Sequence, residues 1–568
     1  MAAVSSTKEA PVTEDGPDEK GQVSRAAHLL AAMTMLSRVA GLLRDVSVGA
    51  VFGTSAAADA FFVAFRIPNL MRRMVAEGAT SAAFVPVFTE SLANEGLEGC
   101  MTASAAVGGT AIVVLAVLTV VGMALAGPLT ALFAPGFQAD PSKQALTVSL
   151  TRWTFPYLFL VGTAAWEMGV HHTLRRFALP AAGPVLMNLA IIAAALGVAP
   201  HLSSPAWALV GGVLAGGVLQ ACVQMPSLRR LGLRPRMLLA VRHPAVARCA
   251  RLMVAAVAGG SIYQVSVVVA TVFASLLPAR TVSYLWYADR VFEFPLGIVA
   301  VAVGTAALPS LAAQASSRRL EAMGQTLVHS MSLTIAFCLP AAIGLLLLAR
   351  DITTLLFERG SFTASDSAMT AWALEAGVPG LLGVAMVRVL SAAFFALEKP
   401  RIPVLAGLGS LVLSCILSVA LMGPVQDVTS WAGAPVQWLQ QHIGIVDMRH
   451  AGLSLATGLS ASVDAAVLLV VVRRVLPSLD LAPLARSTLV HAAAGVAMAI
   501  AVEGWMSVSS QWSFGGVLAL KVGVAVTLGC ASYLAVASRL GSAEIDELLA
   551  RFRTSATATG GIDGRAPS

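Results

Sequence analysis

The sequence has few charged residues. Asp, Glu, Lys and Arg make up only 12% of its 568 residues, hydrophobic residues make up 57%, and the mean hydropathy is +0.80. A soluble domain has about a quarter charged residues, so this chain lacks the polar surface that a soluble protein needs. Three stretches with none of the four charged residue types, 99–139, 177–228 and 252–279, exceed the length of about 20 apolar residues that crosses a bilayer.

Motifs of enzymes, metal sites and disulfide frameworks are also missing. The six cysteines form no CxxC pair and lie mostly inside apolar runs, which argues against a disulfide framework or zinc site and favours packing roles. No Ser/His/Asp set, P-loop or glycine-rich phosphate motif occurs, so we expect no enzyme activity, no ATP hydrolysis and no cofactor. Strand-type alternation is absent, which favours a helical bundle over a β-barrel.

The chain begins with a polar segment. Residues 1–24 contain no apolar core and are predicted to form a disordered cytoplasmic tail, not a cleavable signal peptide. The net charge of +7 would suit nucleic-acid binding, but the basic residues lie in short loops, where membrane topology accounts for them. We therefore expect an all-α polytopic membrane protein without a nucleic-acid partner.

The apolar runs predict fourteen transmembrane helices. The predicted spans are 26–50, 60–90, 103–133, 147–172, 178–199, 206–227, 252–277, 283–313, 326–349, 367–396, 402–423, 451–472, 487–508 and 514–538. They divide the chain into helices 1–6 within 25–228, a basic cytoplasmic loop at 229–251, helices 7–12 within 252–476, helices 13 and 14 within 477–540, and a cytoplasmic tail at 541–568.

Basic residues alternate between successive loops. Arginine and lysine concentrate in the loops at 175–176, 229–251, 318–319, 399–401 and 473–486, whereas the intervening loops hold only Lys143, Arg280, Arg350 with Arg359, and Arg449. Cytoplasmic loops of membrane proteins are enriched in Lys and Arg, and an even number of spans places both termini on one side. Both termini are therefore predicted to be cytoplasmic.

A short motif recurs after the third and the ninth predicted span. Phe133 in the first copy and Phe357 in the second are 224 residues apart. Two further matches have nearly the same offset: Pro86 with Pro309, and Pro180 with Pro403. Chance similarity in a chain rich in Ala and Leu is the alternative. The matches predict two parallel six-helix repeats, with a cleft between them suited to alternating access, followed by two C-terminal helices.

Four arginines are predicted to lie inside the membrane. Arg38 and Arg44 are in span one, Arg72 is in span two, and Arg290 is in span eight, the counterpart of span two in the repeat. A charge at the bilayer centre costs about 3 kcal/mol on insertion scales, so each suggests a function. Guanidinium groups that converge on a cavity match the geometry of phosphate. The predicted ligand is a phosphate or diphosphate.

Local ion pairing is the alternative interpretation of these arginines. Asp45 follows Arg38 at i+7 and is adjacent to Arg44, so it can pair with one of them but not with both. Arg290 can pair with Glu293 at i+3. The sequence leaves both alternatives open.

Span two carries several further polar residues. Asp59 lies near its outer end and Asn69 lies one turn before Arg72 and Arg73. Arg73 and Glu77 are spaced i,i+4 and can neutralise each other, which leaves Arg72 without a carboxylate partner in its own helix. Arg72 is therefore the better ligand.

Three isolated acids, Glu167, Glu375 and Asp464, lie in or near the predicted spans. Packing or exposure to water is the more common explanation for such residues than ion binding. Asp464, with two serines nearby, is the best candidate for a coupling cation. Arg66 is expected to extend towards the membrane surface or to line water, and not to bind the ligand.

Two blocks of sequence, 33–45 and 59–73, carry a specific family resemblance. It continues at 76–79, 134–137, 287–290 and 450–455 and covers about residues 25–540. Here the chain resembles the MurJ (MviN) family of lipid II flippases, within the multidrug/oligosaccharidyl-lipid/polysaccharide exporter superfamily. The resemblance implies fourteen helices in two lobes. It also implies transport of lipid II, the undecaprenyl-diphosphate-linked peptidoglycan precursor, from the cytoplasmic to the periplasmic leaflet of the bacterial inner membrane.

The resemblance also implies roles for individual residues. The family's cavity arginines match Arg38, Arg44, Arg72 and Arg290, and residues expected in the cavity or its gating are Asp59, Asn69, Glu77, Asp289 and Glu293. Helices 13 and 14 are expected to form a groove for the polyprenyl tail. The chain departs from the family in its polar tail, in the long segment 426–449, and in span seven, which lacks an acid that some members use to bind sodium.

Two other functions fit a membrane protein of this class. An exporter of cationic drugs would line its cavity with unpaired acids, whereas the predicted lining is rich in arginine. A scaffold for wall-synthesis proteins would not need buried arginines. We therefore expect lipid II and membrane lipids as ligands, wall-synthesis proteins as candidate partners, and a monomer.

Overall fold

The structure is a computed structural model, and the part it describes is almost entirely helical. The described residues are 17–73, 83–233, 239–426, 429–477, 479–512, 516–547 and 550, with side chains outside the description at 17–28, 255–263, 298–302 and 305. Among them the only extended pairing is an isolated bridge between Met422 and Asp447. The prediction of an all-α protein is confirmed.

Eight helices make up the first half of the chain. They are α1 (Pro17–Phe52), α2 (Ala56–Arg72), α3 (Val85–Ala124), α4 (Ala126–Phe133), α5 (Pro141–Thr154), α6 (Pro156–Thr173), α7 (Ala178–Ala193) and α8 (Ala206–Arg230). They pack mainly on one another: α1 on α7, α2 on α5, α3 on α6, and α8 on both α6 and α7. We call α1–α8 the N-terminal group.

Ten helices follow. They are α9 (Pro244–Leu276), α10 (Thr281–Ser316), α11 (Leu320–Phe357), α12 (Ala364–Gly377), α13 (Leu381–Ala396), α14 (Arg401–Leu421), α15 (Gly433–Ile443), α16 (Arg449–Val475), α17 (Ala482–Ser509) and α18 (Val517–Arg539). Helices α10–α16 pack mainly on one another and form the C-terminal group. Helix α9 contacts both groups, and α17 and α18 pack on each other and on α11.

Nine helical stretches of the described residues are long and apolar enough to cross a membrane. They correspond to predicted spans 3, 5, 6 and 9–14, and with the family assignment below they make this a multi-pass membrane protein. The other five predicted spans coincide with α1, α2, α5–α6, α9 and α10. Helix α2 has 17 residues, and α5 and α6 are two shorter helices that meet at Phe155. Parts of α1, α9 and α10 carry side chains that the structure does not describe.

Some predicted boundaries were wrong. Span two was predicted to run to residue 90 and span three to begin at 103, but α3 starts at Val85 and continues to Ala124. The bend between the two spans lies inside α3 at Gly96, whose φ of 70° is a left-handed conformation that suits glycine. Pro68 and Pro295 lie inside α2 and α10, where a proline removes a helical hydrogen bond.

Candidate functional site

A cavity of about 250 Å³ lies between the N-terminal group, α9 and α10. Its lining includes five arginines and two acids: Arg44, Arg66, Arg72, Arg73 and Arg290, with Asp289 and Glu293. Arginine thus exceeds acid by three charges in this lining. A cleft lined by an excess of one charge attracts ligands of the opposite charge, so this cavity favours an anion.

Arg44 is held rigidly at the cavity wall. Its Nε and Nη2 lie 3.0 and 2.9 Å from Asp45 Oδ1, and its Nη1 donates a hydrogen bond of 3.1 Å to Asn188 Oδ1. Asp45 is only 2% exposed. The acid of span one therefore pairs with Arg44 and not with Arg38, and it offsets much of the charge of Arg44.

Arg72 and Arg290 approach the cavity from α2 and α10. Arg72 Nε donates to Asn69 Oδ1 at 2.8 Å, a neutral acceptor that orients the guanidinium without cancelling its charge. Arg290 Nη1 lies 3.1 Å from Glu293 Oε2, so the i+3 pair that the sequence left open is present. Both arginines line the same cavity.

Trp286 forms an aromatic wall of the cavity beside two arginines. The guanidinium carbons of Arg66 and Arg290 lie 5.5 and 5.1 Å from its ring centroid, within range of cation–π attraction. Arg66 also donates to Thr271 Oγ1 at 2.6 Å. The sequence interpretation placed Arg66 beside water and did not identify Trp286. The signal for Arg66 was its charge within a predicted span, whereas nothing in the sequence marks Trp286.

Some of the predicted site residues do not line the cavity in the part of the chain that the structure describes. Arg38 is outside the cavity lining, and its guanidinium packs so closely on Gly297 of α10 that a Cβ there would overlap it. Asp464 is buried in α16, away from the cavity. Glu77, with its predicted pairing to Arg73, lies outside the described residues. Arg38 therefore connects α1 to α10 and does not line the cavity in this conformation.

Asp59 is also outside the cavity lining, at the contact between α2 and the start of α10. It is 1% exposed and lies 2.7 Å from Lys143 Nζ. It also accepts hydrogen bonds from the main-chain N–H groups of Arg280 and Ser283, at 2.8 and 2.9 Å. These are the first N–H groups of α10, so Asp59 caps that helix and offsets the buried ammonium. One carboxylate thus joins the two groups of helices.

A second carboxylate joins the groups nearby. Asp366, 1% exposed, accepts a hydrogen bond of 2.6 Å from Thr54 Oγ1, just before α2. It also lies 3.3 Å from Arg280 Nη1 and accepts from the Thr363 N–H at the start of α12. Both buried carboxylates therefore bind the N-terminal and C-terminal groups together at the same end of the cleft.

Two hairpins make further contacts at this end: the turn between α4 and α5, which contains Gly136, and the turn between α11 and α12, which contains Gly360. Ser361 donates its N–H to the Ala50 carbonyl at 2.8 Å, and Gly136 donates its N–H to Ser275 Oγ at 3.2 Å. A Cβ on Gly136 would overlap the Ser275 carbonyl, and one on Gly360 would overlap the Ala50 carbonyl. Each half of the chain therefore inserts a glycine against a main-chain carbonyl of α1 or α9.

Aromatic rings fill the space between these hydrogen bonds and the cavity. Tyr287 is fully buried, donates to the Gly53 carbonyl at 3.2 Å, and packs against Phe357 and Phe362. Phe62 stacks on Trp286 with ring centroids 4.5 Å apart. We call Asp59, Asp366, the two hairpins and this aromatic layer the gate. In this structure its contacts hold the two groups of helices together.

The hairpin glycines make the first testable prediction. Gly136→Ala should weaken the closed gate because its Cβ would meet backbone atoms, which cannot move aside as a flexible side chain can. Gly360→Ala should have a larger effect, since Gly360 also has a φ of 59°. Gly127→Ala is the control, because nothing lies within 4 Å of its new Cβ. Thermal unfolding of the purified variants measures the effect, and equal midpoints for all three would contradict the close contacts.

Comparisons with known proteins identify the family of this chain. The family model described as lipid II flippase MurJ matches residues 48–523. The lipid II flippase MurJ of Burkholderia cenocepacia is 37% identical over 79% of this chain and 84% of its own length. The probable lipid II flippase MurJ of Vibrio cholerae is 32% identical over 90% of this chain and 95% of its own.

Solved structures give the same result for the fold. The lipid II flippase MurJ in an inward closed conformation has a TM-score of 0.71 at 22% identity, covering 90% of this chain and 98% of its own. An inward-facing multidrug resistance transporter of the MATE family has a TM-score of 0.61 at 13% identity, covering 80% and 98%. These relatives are named as flippases and transporters, not as enzymes. By the match of its sequence over most of its length, this chain belongs to the lipid II flippase MurJ family.

Proposed function

We propose that this chain translocates lipid II from the cytoplasmic to the periplasmic leaflet of the bacterial inner membrane by alternating access. One observation carries the proposal: an arginine-rich cavity lies between two groups of helices and is closed at one end by the gate. An anion can enter such a cavity from one side only. Transport then requires the gate to open and the opposite end to close.

The diphosphate of lipid II is the proposed ligand of the arginines. Arg72 and Arg290 provide guanidinium groups from α2 and α10, and Arg44 provides a third that is already oriented by Asp45. A diphosphate that leaves water needs charge-assisted donors to replace its lost hydration. Arg38 packs against Gly297 of α10 in this structure. In another conformation it is proposed to bind the ligand.

The proposed site disfavours the alternative of a cationic-drug exporter. Its two acids, Asp289 and Glu293, share the cavity with five arginines, and Glu293 is paired with Arg290. Such a lining repels a cation. A wall-synthesis scaffold would have no use for a charged cavity, so neither alternative explains the site.

Fourteen spans in two parallel repeats remain part of the proposal. The gate supports the repeat, because its two glycine contacts are related by nearly the same offset as the sequence matches. Gly136 and Gly360 are 224 residues apart, and their carbonyl partners Ala50 and Ser275 are 225 residues apart. The proposed boundaries are those predicted from the sequence. Predicted spans 1–6 form the first repeat, predicted spans 7–12 form the second, and α17 and α18 are the two C-terminal spans.

Helices α17 and α18 are proposed to hold the polyprenyl tail. Helix α17 presents an apolar stripe on which Leu489, Val496, Ile500 and Val508 are each at least 60% exposed. Such a surface suits a hydrocarbon chain, either of the bilayer or of the substrate. A monomer is sufficient for this mechanism.

Membrane topology is the second testable prediction. Cysteines introduced at 229–245 and 473–486 should react only from the cytoplasm, and those at 136–143 and 427–447 only from outside. The reason is the excess of Lys and Arg in the first pair of loops. Labelling of intact cells with a membrane-impermeant maleimide measures this. External labelling within 229–245 would invert the orientation and place the gate on the cytoplasmic side.

Reconstitution tests the proposed activity itself. Purified protein in vesicles should move a fluorescent lipid diphosphate between leaflets faster than protein-free vesicles do, and a matched lipid with a neutral headgroup should not be moved. Equal movement of both lipids would indicate non-specific scrambling and contradict a diphosphate site.

A further inference from the structure

A buried acid lies in the N-terminal group away from the cavity. Glu167 of α6 is 1% exposed, and neither of its carboxylate oxygens has a hydrogen-bond partner among the described residues. Its helix neighbours Trp166 and Val170 belong to an apolar cluster that includes Phe88 of α3 and Leu228 of α8. An ionised carboxylate buried in such a place without a partner costs several kcal/mol. An acid whose oxygens accept hydrogen bonds from its own helix would avoid this cost, but in the described part of the chain Glu167 has no such hydrogen bonds.

Two further buried polar residues on α6 and α8 each have an acceptor atom without a partner in the described residues. His171 follows it by four residues, on the same face of α6, and is fully buried. Its Nδ1 lies 3.0 Å from the Glu167 main-chain carbonyl. Because a carbonyl can only accept, Nδ1 carries the imidazole proton, and Nε2, which has no partner in the described residues, is an acceptor.

Gln224 of α8 adds another acceptor. Its Nε2 donates to the Ala164 carbonyl at 3.3 Å, one turn before Glu167. Its Oε1 is buried and has no partner in the part of the chain that the structure describes. Four unsatisfied acceptor atoms on α6 and α8 thus belong to Glu167, His171 and Gln224. A proton on the carboxylate would remove the buried charge and give these residues a donor.

Other titratable and charged groups do not supply that donor. His172 follows in α6, Cys100 lies on α3 and Arg229 lies near the end of α8, and neither Glu167 oxygen has a hydrogen bond to any of them. Helices α2 and α5 meet α6 near its other end, at Tyr157 and at the break before Pro156. A hard cation such as Na⁺ prefers a shell of oxygen ligands, which this mixed group with an imidazole nitrogen does not provide.

We propose that Glu167 is a proton-binding site, separate from the lipid cavity, which holds one proton while the gate is closed. Binding forms an O–H bond on the carboxylate and consumes one proton, with no other bond changed. The neutral acid allows α6 to pack against α3 and α8. Loss of the proton leaves an unpaired anion that favours a different packing of α6. Because α6 also carries Tyr157, which lines the cavity, proton binding is coupled to the shape of the lipid site.

Infrared spectroscopy of the full-length protein in lipid nanodiscs tests this proposal. At neutral pH the wild-type protein should show the carbonyl band of a protonated carboxylic acid, shifted by D₂O, and Glu167→Gln should lose it. Gln has the size and neutrality of the protonated acid, so this variant should fold. If it does not accumulate, Glu167→Asp should shift the band instead of removing it.

Asp464→Asn is the matched control, since Asp464 is the other acid with a buried carboxylate oxygen lacking a partner in the described residues. It should leave the Glu167 band unchanged. Absence of a protonated-acid band from the wild type, a protonated-acid spectrum that Glu167→Gln leaves unchanged, or ionised-carboxylate bands that respond to Na⁺ would each overturn the proposal. None of these outcomes depends on whether the protein moves lipid II.

Discussion

Replacing Arg72 or Arg290 with alanine is expected to impair lipid II translocation strongly while the protein stays in the membrane. Hydrogen bonds to charged groups contribute about 1.5–3 kcal/mol each, so losing one guanidinium should slow transport by about tenfold or more. Lysine at either position should restore activity only in part, because it keeps the charge and loses the bidentate geometry. Growth of a depleted strain measures function, and immunoblots of membranes measure abundance.

Controls for this experiment come from other arginines. Arg388→Ala removes an arginine from α13 that does not line the cavity, and it should support growth. Arg73 is a poor control because it lines the same cavity. Arg44→Ala should be tested together with Asp45→Asn, since the single change would strand a buried carboxylate. Normal growth with alanine at both Arg72 and Arg290 would rule out the proposed diphosphate site.

Asp59→Ala is expected to open the gate and stop transport. The change removes the cap of α10 and leaves Lys143, only 7% exposed, without its carboxylate. Breaking a buried pair in this way costs about 3–5 kcal/mol and would destabilise the closed conformation by this amount. A cysteine introduced at Met187, in the cavity, should then become reactive to an external maleimide, in a background without the exposed Cys222 and Cys530.

Two variants show whether the pair itself is responsible. Asp59→Asn with Lys143→Met removes both charges and should recover part of the lost gate closure, because no buried charge is stranded. Asp140→Asn changes an exposed acid at the same end of the molecule. Hydrogen bonds from the Lys143 N–H and from Ser142 hold the pKa of Asp140 below its usual range, so it is ionised, yet its loss should be mild. An effect of Asp140→Asn as large as that of Asp59→Ala would contradict the gate.

The arginine cavity could be predicted from the sequence because charges within apolar spans are rare and costly. Arg44, Arg72 and Arg290 were identified on that ground, and the repeat placed two of them on matching helices. Whether a nearby acid cancels each charge could not be predicted, since Asp45 was adjacent to one arginine and two turns from another.

The gate was beyond sequence reasoning for a physical reason. The partners of Asp59 are 84, 221 and 224 residues away in the chain, and two of them are main-chain N–H groups that carry no sequence signal. The contact of Arg38 with Gly297 is likewise tertiary. The boundary between predicted spans two and three is a bend at one left-handed residue, Gly96, inside α3. The sequence does not show that a single glycine makes this bend.

The distribution of lipid II between the two leaflets is the measurement that tests the central claim most directly. Cells depleted of this protein and complemented with the wild type, Arg72→Ala or Arg388→Ala would be treated with an external enzyme or probe that reaches only lipid II in the outer leaflet. The account predicts that lipid II stays protected on the cytoplasmic side with no complementation or with Arg72→Ala, and becomes accessible with the wild type or Arg388→Ala. Full external access to lipid II in depleted cells would contradict it.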